Sequence, residues 1–272
     1  MTIAAAPEVI DLAERRRRCA AARRRAVALS VQAQSAHVGS SLSCIEILET
    51  VFAHAAVSAE NADWAQRDRV VFSKGHATMA FVATLEQRGL IEPRLLDAYL
   101  APDSALWGHV TRTPLIPAID ASTGSLGHGL SLAAGFALAH RLRRRDDLRV
   151  FCVLSDGECD EGSTWEAALF AGARGLDRLT AIVDYNHIQS LAPTAEVLDL
   201  EPFADKWRAF GWQAEEVDGH DLAALDRAFH AKGQGRPRVI LAHTVKGKGI
   251  ARIENTVASH YRPALPADVE GL

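Results

Sequence analysis

Apolar residues along the chain follow two different spacings, one typical of strands and one typical of helices. Short apolar runs rich in β-branched residues predict five strands, at positions 70–73, 150–154, 180–184, 213–217 and 239–243. Helical patterns, with apolar residues three and four positions apart, separate these runs. The alternation favours an α/β fold with three layers, in which helices cover both faces of a parallel sheet.

Several helix boundaries are marked by local residue patterns. Ser43 and Ser163 each precede a glutamate by three positions, which is typical of a capping box at a helix start. Gly175 is placed to end the second of these helices. A third helix is predicted after Gly129 and ends in arginines within 141–145, where the negative end of the helix dipole favours them.

No repeat, low-complexity tract or long linker divides the chain. We therefore expect one domain over residues 1–272, with an N-terminal helical segment at 1–34 and an irregular tail at 250–272. The composition agrees with this expectation, because 48% of the 272 residues are hydrophobic and 24% are charged. That is ordinary globular composition with ample material for a core.

The charge balance bears on possible partners. Thirty basic residues against 34 acidic residues give a net charge of −4, so no nucleic-acid partner is expected. Arginines concentrate at positions 15–18 and 23–25. This pattern predicts a solvated helix face, and an anionic partner surface is the alternative.

Cysteine usage and hydropathy bear on the compartment. The four cysteines, Cys19, Cys44, Cys152 and Cys159, are scattered and form no C-x-x-C pair. They predict reduced thiols in a cytoplasmic protein and argue against disulfides or a zinc site. No stretch approaches the roughly 18–20 apolar residues of a membrane helix, so no membrane partner is expected.

Candidate chemistry lies where two predicted strands end. Asp156 follows the strand at 150–154, and Asn186 follows the strand at 180–184. Ligands of open α/β sheets bind at the carboxyl ends of the strands, so these two side chains would lie at one edge. Carboxylate and amide oxygens suit Mg²⁺ that is shared with phosphate oxygens. Taken singly, Asp156 before Gly157 is also typical of a simple turn.

The pair is more informative than either residue. Asp156 and Asn186 are 30 residues apart, which resembles the thiamine diphosphate signature of a Gly-Asp-Gly followed at a similar distance by an Asn. A broader resemblance to transketolases extends from about residue 35 to residue 260. Its segments are AHVGSSLSCIEIL, RDRVVFSKGHA, STGSLGHGLSLAAGFALA, DGECDEGSTWEA, DYNHIQS, FGW, DGHD and TVKGKG, in that order. So many segments in one order make the resemblance specific.

The resemblance implies the thiamine diphosphate-binding fold, with this chain as the diphosphate-binding domain. By that resemblance, Mg²⁺ is held by Asp156, Asn186 and the main-chain carbonyl of Ile188. The implied cofactor-binding positions are His76, Gly124, Ser125, Leu126, Gly157, Glu158, Asn186 and His260. Helix starts after Gly127 and Ser163 would add amide donors for phosphate.

The resemblance also assigns catalytic positions. These are His37, His109, His260 and Glu161, with the histidines near substrate oxygens and Glu161 in a carboxylate relay at a subunit interface. Six other histidines are predicted to be structural, namely His54, His140, His187, His220, His230 and His243. Lys246 and Lys248 fall in the TVKGKG segment, but a flexible surface loop is the alternative there, and neither lysine is assigned to the site.

In transketolases a second α/β domain supplies the groups that activate the cofactor's pyrimidine, and it normally follows the TVKGKG segment. This chain ends at Leu272, soon after that segment. The resemblance therefore implies the N-terminal subunit of a split transketolase, active only with a C-terminal, pyrimidine-binding partner and assembled as a heterotetramer. The implied reaction transfers a two-carbon ketol unit between sugars or sugar phosphates.

Two other functions stay open on the sequence. One is a subunit of another thiamine diphosphate enzyme, such as a 2-oxo acid dehydrogenase, and the other is a scaffold that has lost catalysis. A Mg²⁺-dependent phosphatase would explain Asp156 and little else. Departures from the family pattern at Val38, His128, Ser155 and Tyr261 lie mainly at the substrate end, and they leave the donor, the acceptor and the pathway open.

Overall fold

A computed structural model describes residues 11–231 and 234–272, and its strands form a five-stranded sheet. The strands are β1 (Arg69–Phe72), β2 (Val150–Ser155), β3 (Leu179–Tyr185), β4 (Gln213–Asp218) and β5 (Arg238–His243). They pair in the order β1-β2-β3-β5-β4, and every pairing is parallel. Each predicted strand matches an observed one to within one residue at either end, so the strand prediction is confirmed.

Helices connect the strands throughout the described residues. In chain order they are α1 (Leu12–Ala33), α2 (Val38–Ser43), α3 (Ile45–His54), α4 (Thr78–Gln87), α5 (Pro93–Asp97), α6 (Gly129–Leu142), α7 (Gly162–Ala173), α8 (Thr194–Val197), α9 (Phe203–Ala209), α10 (Leu222–His230) and α11 (Pro266–Glu270). Helix α6 begins at Gly129, as predicted, and Arg141 lies in its last turn.

Two hydrophobic cores lie on opposite faces of the sheet, and successive residues of each strand alternate between them. Phe151 and Val153 of β2 belong to the first core, whereas Cys152 and Leu154 belong to the second. Helices α1 to α4 and α10 pack on the first core, and helices α6, α7 and α9 pack on the second. The prediction of a three-layer α/β fold is confirmed.

Neither predicted serine cap is observed, because both hydroxyl groups have tertiary partners instead. Helices α3 and α7 begin without a side-chain cap. Ser43 Oγ lies 2.5 Å from Asp184 Oδ2 on β3, and Ser163 Oγ donates to the carbonyl of Gly127 at 3.0 Å. Gly175 follows the end of α7 with a φ of +58°, as predicted.

Some of the clustered arginines of α1 attach this helix to the rest of the fold. Arg15 is 3% exposed and its guanidinium lies 2.5 Å from the carboxylate of Asp226 on α10. Arg23 Nη2 lies 2.7 Å from Glu46 Oε1 on α3. The prediction of a solvated face is therefore wrong for these two positions. The exposed members of the clusters are Arg16, Arg17 and Arg24.

The two terminal segments differ in how far the structure describes them. Helix α1 lies within the segment expected to be helical, and residues 1–10 fall outside the described part of the chain. The tail expected to be irregular contains a 3-10 turn at Val257–His260 and the short helix α11. Within the described residues, no helix has the length and apolar character needed to cross a bilayer.

Candidate active site

A cavity of ≈ 320 Å³ lies at the carboxyl ends of β1, β2, β3 and β5. The segments that follow these strands contribute Lys74, Asp156, Asn186 and Lys246 to its wall. Parallel strands present their carboxyl ends at one edge, so residues far apart in the chain converge there. The predicted site residues that line the cavity are His37, His76, His109, Gly124, Leu126, Asp156, Gly157, Glu161, Asn186, Ile188 and His260.

The three groups implied to hold Mg²⁺ lie together in this cavity. Asp156 is 1% exposed, and its carboxylate accepts hydrogen bonds from the amides of Gly157 at 2.8 Å and His187 at 2.7 Å. Asn186 is 4% exposed, and its Oδ1 accepts from the amide of Ile188 at 3.2 Å. Hydrogen bonds from main-chain amides therefore fix the orientation of both side chains.

These groups fit a hard divalent cation. Carboxylate, amide and carbonyl oxygens are the ligand types that Mg²⁺ prefers. Burial, reinforced by the nearby charge of Asp184, raises the pKa of Asp156 to about 6. A cation bound at this carboxylate would stabilise its ionised form. The carbonyl of Ile188 already accepts a hydrogen bond from the Lys246 ammonium at 2.8 Å, so positive charge is accommodated at this oxygen.

Lys246 is a site residue that sequence reasoning did not assign. It is 1% exposed, and its Nζ lies 3.4 Å from His260 Nδ1 inside the cavity. Burial, reinforced by the charge of Lys74, lowers the pKa of Lys246 to about 8. The alternative of a flexible surface loop is wrong for this residue. The TVKGKG resemblance was the available signal, but a lysine's burial cannot be judged from its own segment.

A buried ion pair joins Lys74, at the cavity wall, to Asp184, and both side chains are fully buried. Asp184 Oδ2 also accepts from Ser43 Oγ, and its Oδ1 accepts from Thr244 Oγ1. Burial raises the pKa of Asp184, but the charge of Lys74 outweighs it and the net pKa is lowered. The amide Nδ2 of Asn186 lies 3.4 Å from Oδ2, so this network contacts an implied metal ligand.

Four histidines predicted for the site form one cluster in the same cavity. The ring centroid of His37 lies 4.6 Å from that of His260, 5.5 Å from that of His76 and 6.0 Å from that of His109. The amide of His37 donates to the carbonyl of His260 at 3.0 Å. His37 has a φ of +68°, a region that non-glycine residues seldom adopt, so its backbone is held by these surroundings.

Three of these histidines are neutral near pH 7. Burial lowers the pKa of His37 to about 4. Burial, with the charge of Lys246, lowers the pKa of His260 to about 3. Burial and the charge of Lys74 lower the pKa of His76 well below its usual range. Neutral imidazoles offer one donor and one acceptor each, which suits hydrogen bonding to hydroxyl and carbonyl groups.

Two glycines allow close approach at the cavity wall. A Cβ at Gly157 would lie 2.9 Å from the Cβ of Gln189. A Cβ at Gly124 would lie 2.9 Å from the His109 ring, and Gly124 has a φ of +149°. A side chain at either position would crowd the wall, so both glycines fit a backbone surface that approaches a phosphate group closely.

Two of the implied cofactor-binding residues do not line the cavity. Glu158 is fully buried, and its Oε1 accepts from Ser73 Oγ and from the amide of Gly127 at 3.0 Å. The amide of Gly129 donates to Ser73 Oγ at 3.1 Å. Both of these main-chain amides at the start of α6 therefore bond within the protein. Ser125 is exposed and lines a neighbouring opening instead.

The six histidines predicted to be structural do not line the cavity. One of them is His54, whose Nε2 lies 3.0 Å from Asp226 Oδ1. Two of them nevertheless touch site segments. The amide of His187 donates to Asp156, and His220 accepts from the amide of Val245, next to Lys246. Spacing along the chain gave no signal for the second contact.

The family of transketolase thiamine diphosphate-binding domains matches residues 15–272 of this chain. The 6-deoxy-6-sulfo-D-fructose transketolase subunit SqwG of Clostridium sp. (strain MSTE9) is 43% identical over 229 residues, which are 82% of each chain. One of the subunits of the apulose-4-phosphate transketolase of Phocaeicola vulgatus is 36% identical over 242 residues, which are 88% of this chain and 85% of that relative.

Solved structures of transketolases also superimpose on this chain. Transketolase from Campylobacter jejuni superimposes with a TM-score of 0.89 at 27% identity, over 96% of this chain but 42% of that one. Transketolase from Leishmania mexicana gives a TM-score of 0.85 at 26% identity, over 94% of this chain and 40% of that one. The chain thus spans about two fifths of these solved transketolases, and most of the length of the relatives named as subunits.

Proposed function

Because this chain belongs to the transketolase family, we propose that it is the N-terminal subunit of a two-chain transketolase. It binds Mg²⁺ and the diphosphate of thiamine diphosphate, and together with a C-terminal partner it transfers a two-carbon ketol unit between sugars or sugar phosphates. The observation that carries the proposal is one cavity that joins the Asp156, Asn186 and Ile188 oxygens to the cluster of four histidines.

The anchor for the cofactor is the oxygen side of the cavity. Asp156, Asn186 and the Ile188 carbonyl would hold Mg²⁺, which is usually shared with phosphate oxygens. The Lys246 ammonium lies among these groups and would contact the diphosphate as a point charge. Gly157 would let the main chain approach a phosphate oxygen.

The histidine side of the cavity would bind the sugar. Bound thiamine diphosphate supplies an electron sink for cleavage of the bond next to a ketone. His37 and His260, neutral for the reasons given above, and His109 would donate to or accept from substrate oxygens, whereas His76 would contact the diphosphate. Among the described residues, none bonds to the buried Nδ1 of His37, which leaves this atom for a ligand. Proton transfer by such groups typically contributes about 10²–10⁴-fold.

Two observations support a partner chain. The relatives named as subunits are matched over 82–85% of their own length, whereas the transketolases of known structure are matched over 40–42%. Helices α6 and α7 also expose apolar side chains, since Leu132 is 42% and Leu169 is 54% exposed. We propose that a C-terminal, pyrimidine-binding subunit completes the site and that two such pairs form a heterotetramer.

The four buried free thiols support a reducing, cytoplasmic compartment.

Calorimetry with thiamine diphosphate and Mg²⁺ tests the proposal, using this chain alone and then its mixture with a candidate C-terminal partner. We expect binding in the mixture, weaker binding by the chain alone, and loss of binding in Asp156→Ala and Asn186→Ala. Asp177→Ala, at an exposed carboxylate before β3, is the matched control and should bind as the wild type does. Ketol transfer by the isolated chain would contradict the two-chain proposal, and no binding in either sample would contradict the cofactor assignment.

A further inference from the structure

The loop that carries Lys246 is held from its outer side by a residue that does not line the cavity. The amide of Val245 donates to Nε2 of His220 at 2.9 Å. Nδ1 of His220 lies 3.0 Å from Oε2 of Glu46 on α3. The other carboxylate oxygen of Glu46 accepts from Arg23 Nη2 at 2.7 Å. These three side chains are 10–15% exposed, so the cluster is largely shielded from solvent.

The geometry favours one tautomer of the His220 ring. A backbone amide can only donate, so Nε2 must carry a lone pair toward Val245. The ring proton is then on Nδ1 and is donated to the Glu46 carboxylate, which selects this tautomer. The ring is therefore held in one orientation by contacts at both nitrogens.

The same cluster holds the loop at a second point. Arg23 Nε donates to the carbonyl of Lys248 at 3.1 Å. The contacts at Val245 and Lys248 are on either side of Lys246, whose side chain extends in the opposite direction toward the Ile188 carbonyl. On the inner side, the amide of Gly247 donates to the carbonyl of Gly39 at 2.9 Å. Outer and inner contacts together determine where the ammonium lies.

We propose that His220, oriented by Glu46 and Arg23, is a positioning residue for Lys246. It holds the backbone of residues 244–249 so that the ammonium stays in the cofactor cavity, although His220 itself touches neither cofactor nor substrate. This inference rests on the proposed function, because Lys246 is argued there to contact the diphosphate.

The test uses two replacements of similar length. His220→Gln can still accept from Val245 through its amide oxygen and donate to Glu46, whereas His220→Met can do neither. The first measurement is hydrogen exchange, by mass spectrometry, of peptides covering residues 243–250 in the chain without cofactor. We expect protection like that of the wild type in His220→Gln and exchange about tenfold faster in His220→Met, because the Val245 amide loses its acceptor.

The second measurement is calorimetric affinity for thiamine diphosphate with Mg²⁺ in the presence of the C-terminal partner. We expect about tenfold weaker binding by His220→Met and near wild-type binding by His220→Gln. His54→Met is the control, since His54 also contacts a carboxylate, Asp226, at 3.0 Å but lies away from the loop. It should lower the melting temperature without changing cofactor affinity.

Equal exchange in His220→Gln and His220→Met would overturn the inference, and so would equal loss of affinity in His54→Met and His220→Met. A wild-type mixture that binds no cofactor would contradict the proposed function, and with it the role of Lys246. The exchange pattern would still decide by itself whether His220 holds the loop, so the two failures are distinguishable.

Discussion

At the carboxyl end of β3, Asp184 receives hydrogen bonds from side chains that come from three other segments. Lys74 follows β1, Ser43 ends α2 and Thr244 follows β5. None of these contacts is local in sequence, and all of them are buried. Removing one partner of a buried ion pair leaves an uncompensated charge, which is far more costly than losing a surface pair.

We expect Asp184→Asn to lower the free energy of unfolding by about 3–5 kcal/mol, because Lys74 loses its counter-charge in a fully buried site. Mg²⁺ binding should also weaken, since Asn186 packs on the same carboxylate oxygen. Chemical denaturation and calorimetry measure the two effects. Asp205→Asn, at an exposed pair with Arg208, should cost less than about 1 kcal/mol. An equally small cost at Asp184 would show that the pair is dispensable.

At the scale of elements, tertiary contacts override local patterns at several helix ends. The capping-box spacing at Ser43 and Ser163 is genuine in the sequence, yet each hydroxyl bonds to a distant segment.

Helix α6 exposes Leu132 and buries Ala133, Ala134 and Ala137 against the sheet. Small residues on the buried face allow α6 to approach the strands closely, while larger apolar residues are left for a partner.

Helix α7 packs closely against the segment before β4. A Cβ on Gly172 would overlap the carbonyl oxygen of Phe210, whereas a Cβ on Gly135 in α6 would meet nothing within 4 Å. We expect Gly172→Ala to destabilise the fold by about 1–3 kcal/mol through overpacking. The matched change Gly135→Ala should be neutral or stabilise by up to about 1 kcal/mol, because alanine favours helix. Thermal unfolding of both variants checks this, and similar effects would contradict the packing argument.

At the scale of the whole molecule, the partly buried histidines His37 and His260 make stability depend on pH. Histidine titrates near 6.5 in an unfolded chain, whereas burial lowers the pKa of His37 to about 4 and of His260 to about 3. Between pH 6.5 and 4 the unfolded chain therefore binds more protons at these residues. Their contribution to the free energy of unfolding falls as the pH falls through this window.

An opposing contribution lies in the same range. Burial raises the pKa of Asp156 to about 6 and of Glu158 to about 7, so these carboxyls bind protons more readily in the folded state and favour it as the pH falls. The histidine effect is therefore best measured as a difference between variants. We expect the free energy of unfolding of the double variant, His37→Gln with His260→Gln, to fall less than that of the wild type between pH 6.5 and 4. Urea unfolding measures this quantity. His128→Gln, at an exposed ring, should match the wild type.

Local sequence determined the elements of this protein and the place of its chemistry. Apolar runs set the strands to within one residue, and the polar residues after them, Asp156 and Asn186, lie at one edge because parallel strands end there. The family resemblance then located the histidines that line the cavity. These features depend on residues near one another in the chain, or on segments whose order alone is informative.

Only the tertiary structure decided which side chains share an environment. The strand order places β5 beside β3, which buries Lys246 against Ile188. Glu158 lies in a segment that resembles a cofactor motif, but its carboxylate bonds to Ser73 and Gly127 within the fold. The role inferred for His220 depends on its hydrogen bond with the Val245 amide, which only the tertiary structure shows. Burial and hydrogen-bond partners depend on contacts between distant segments, and periodicity within one segment carries no record of them.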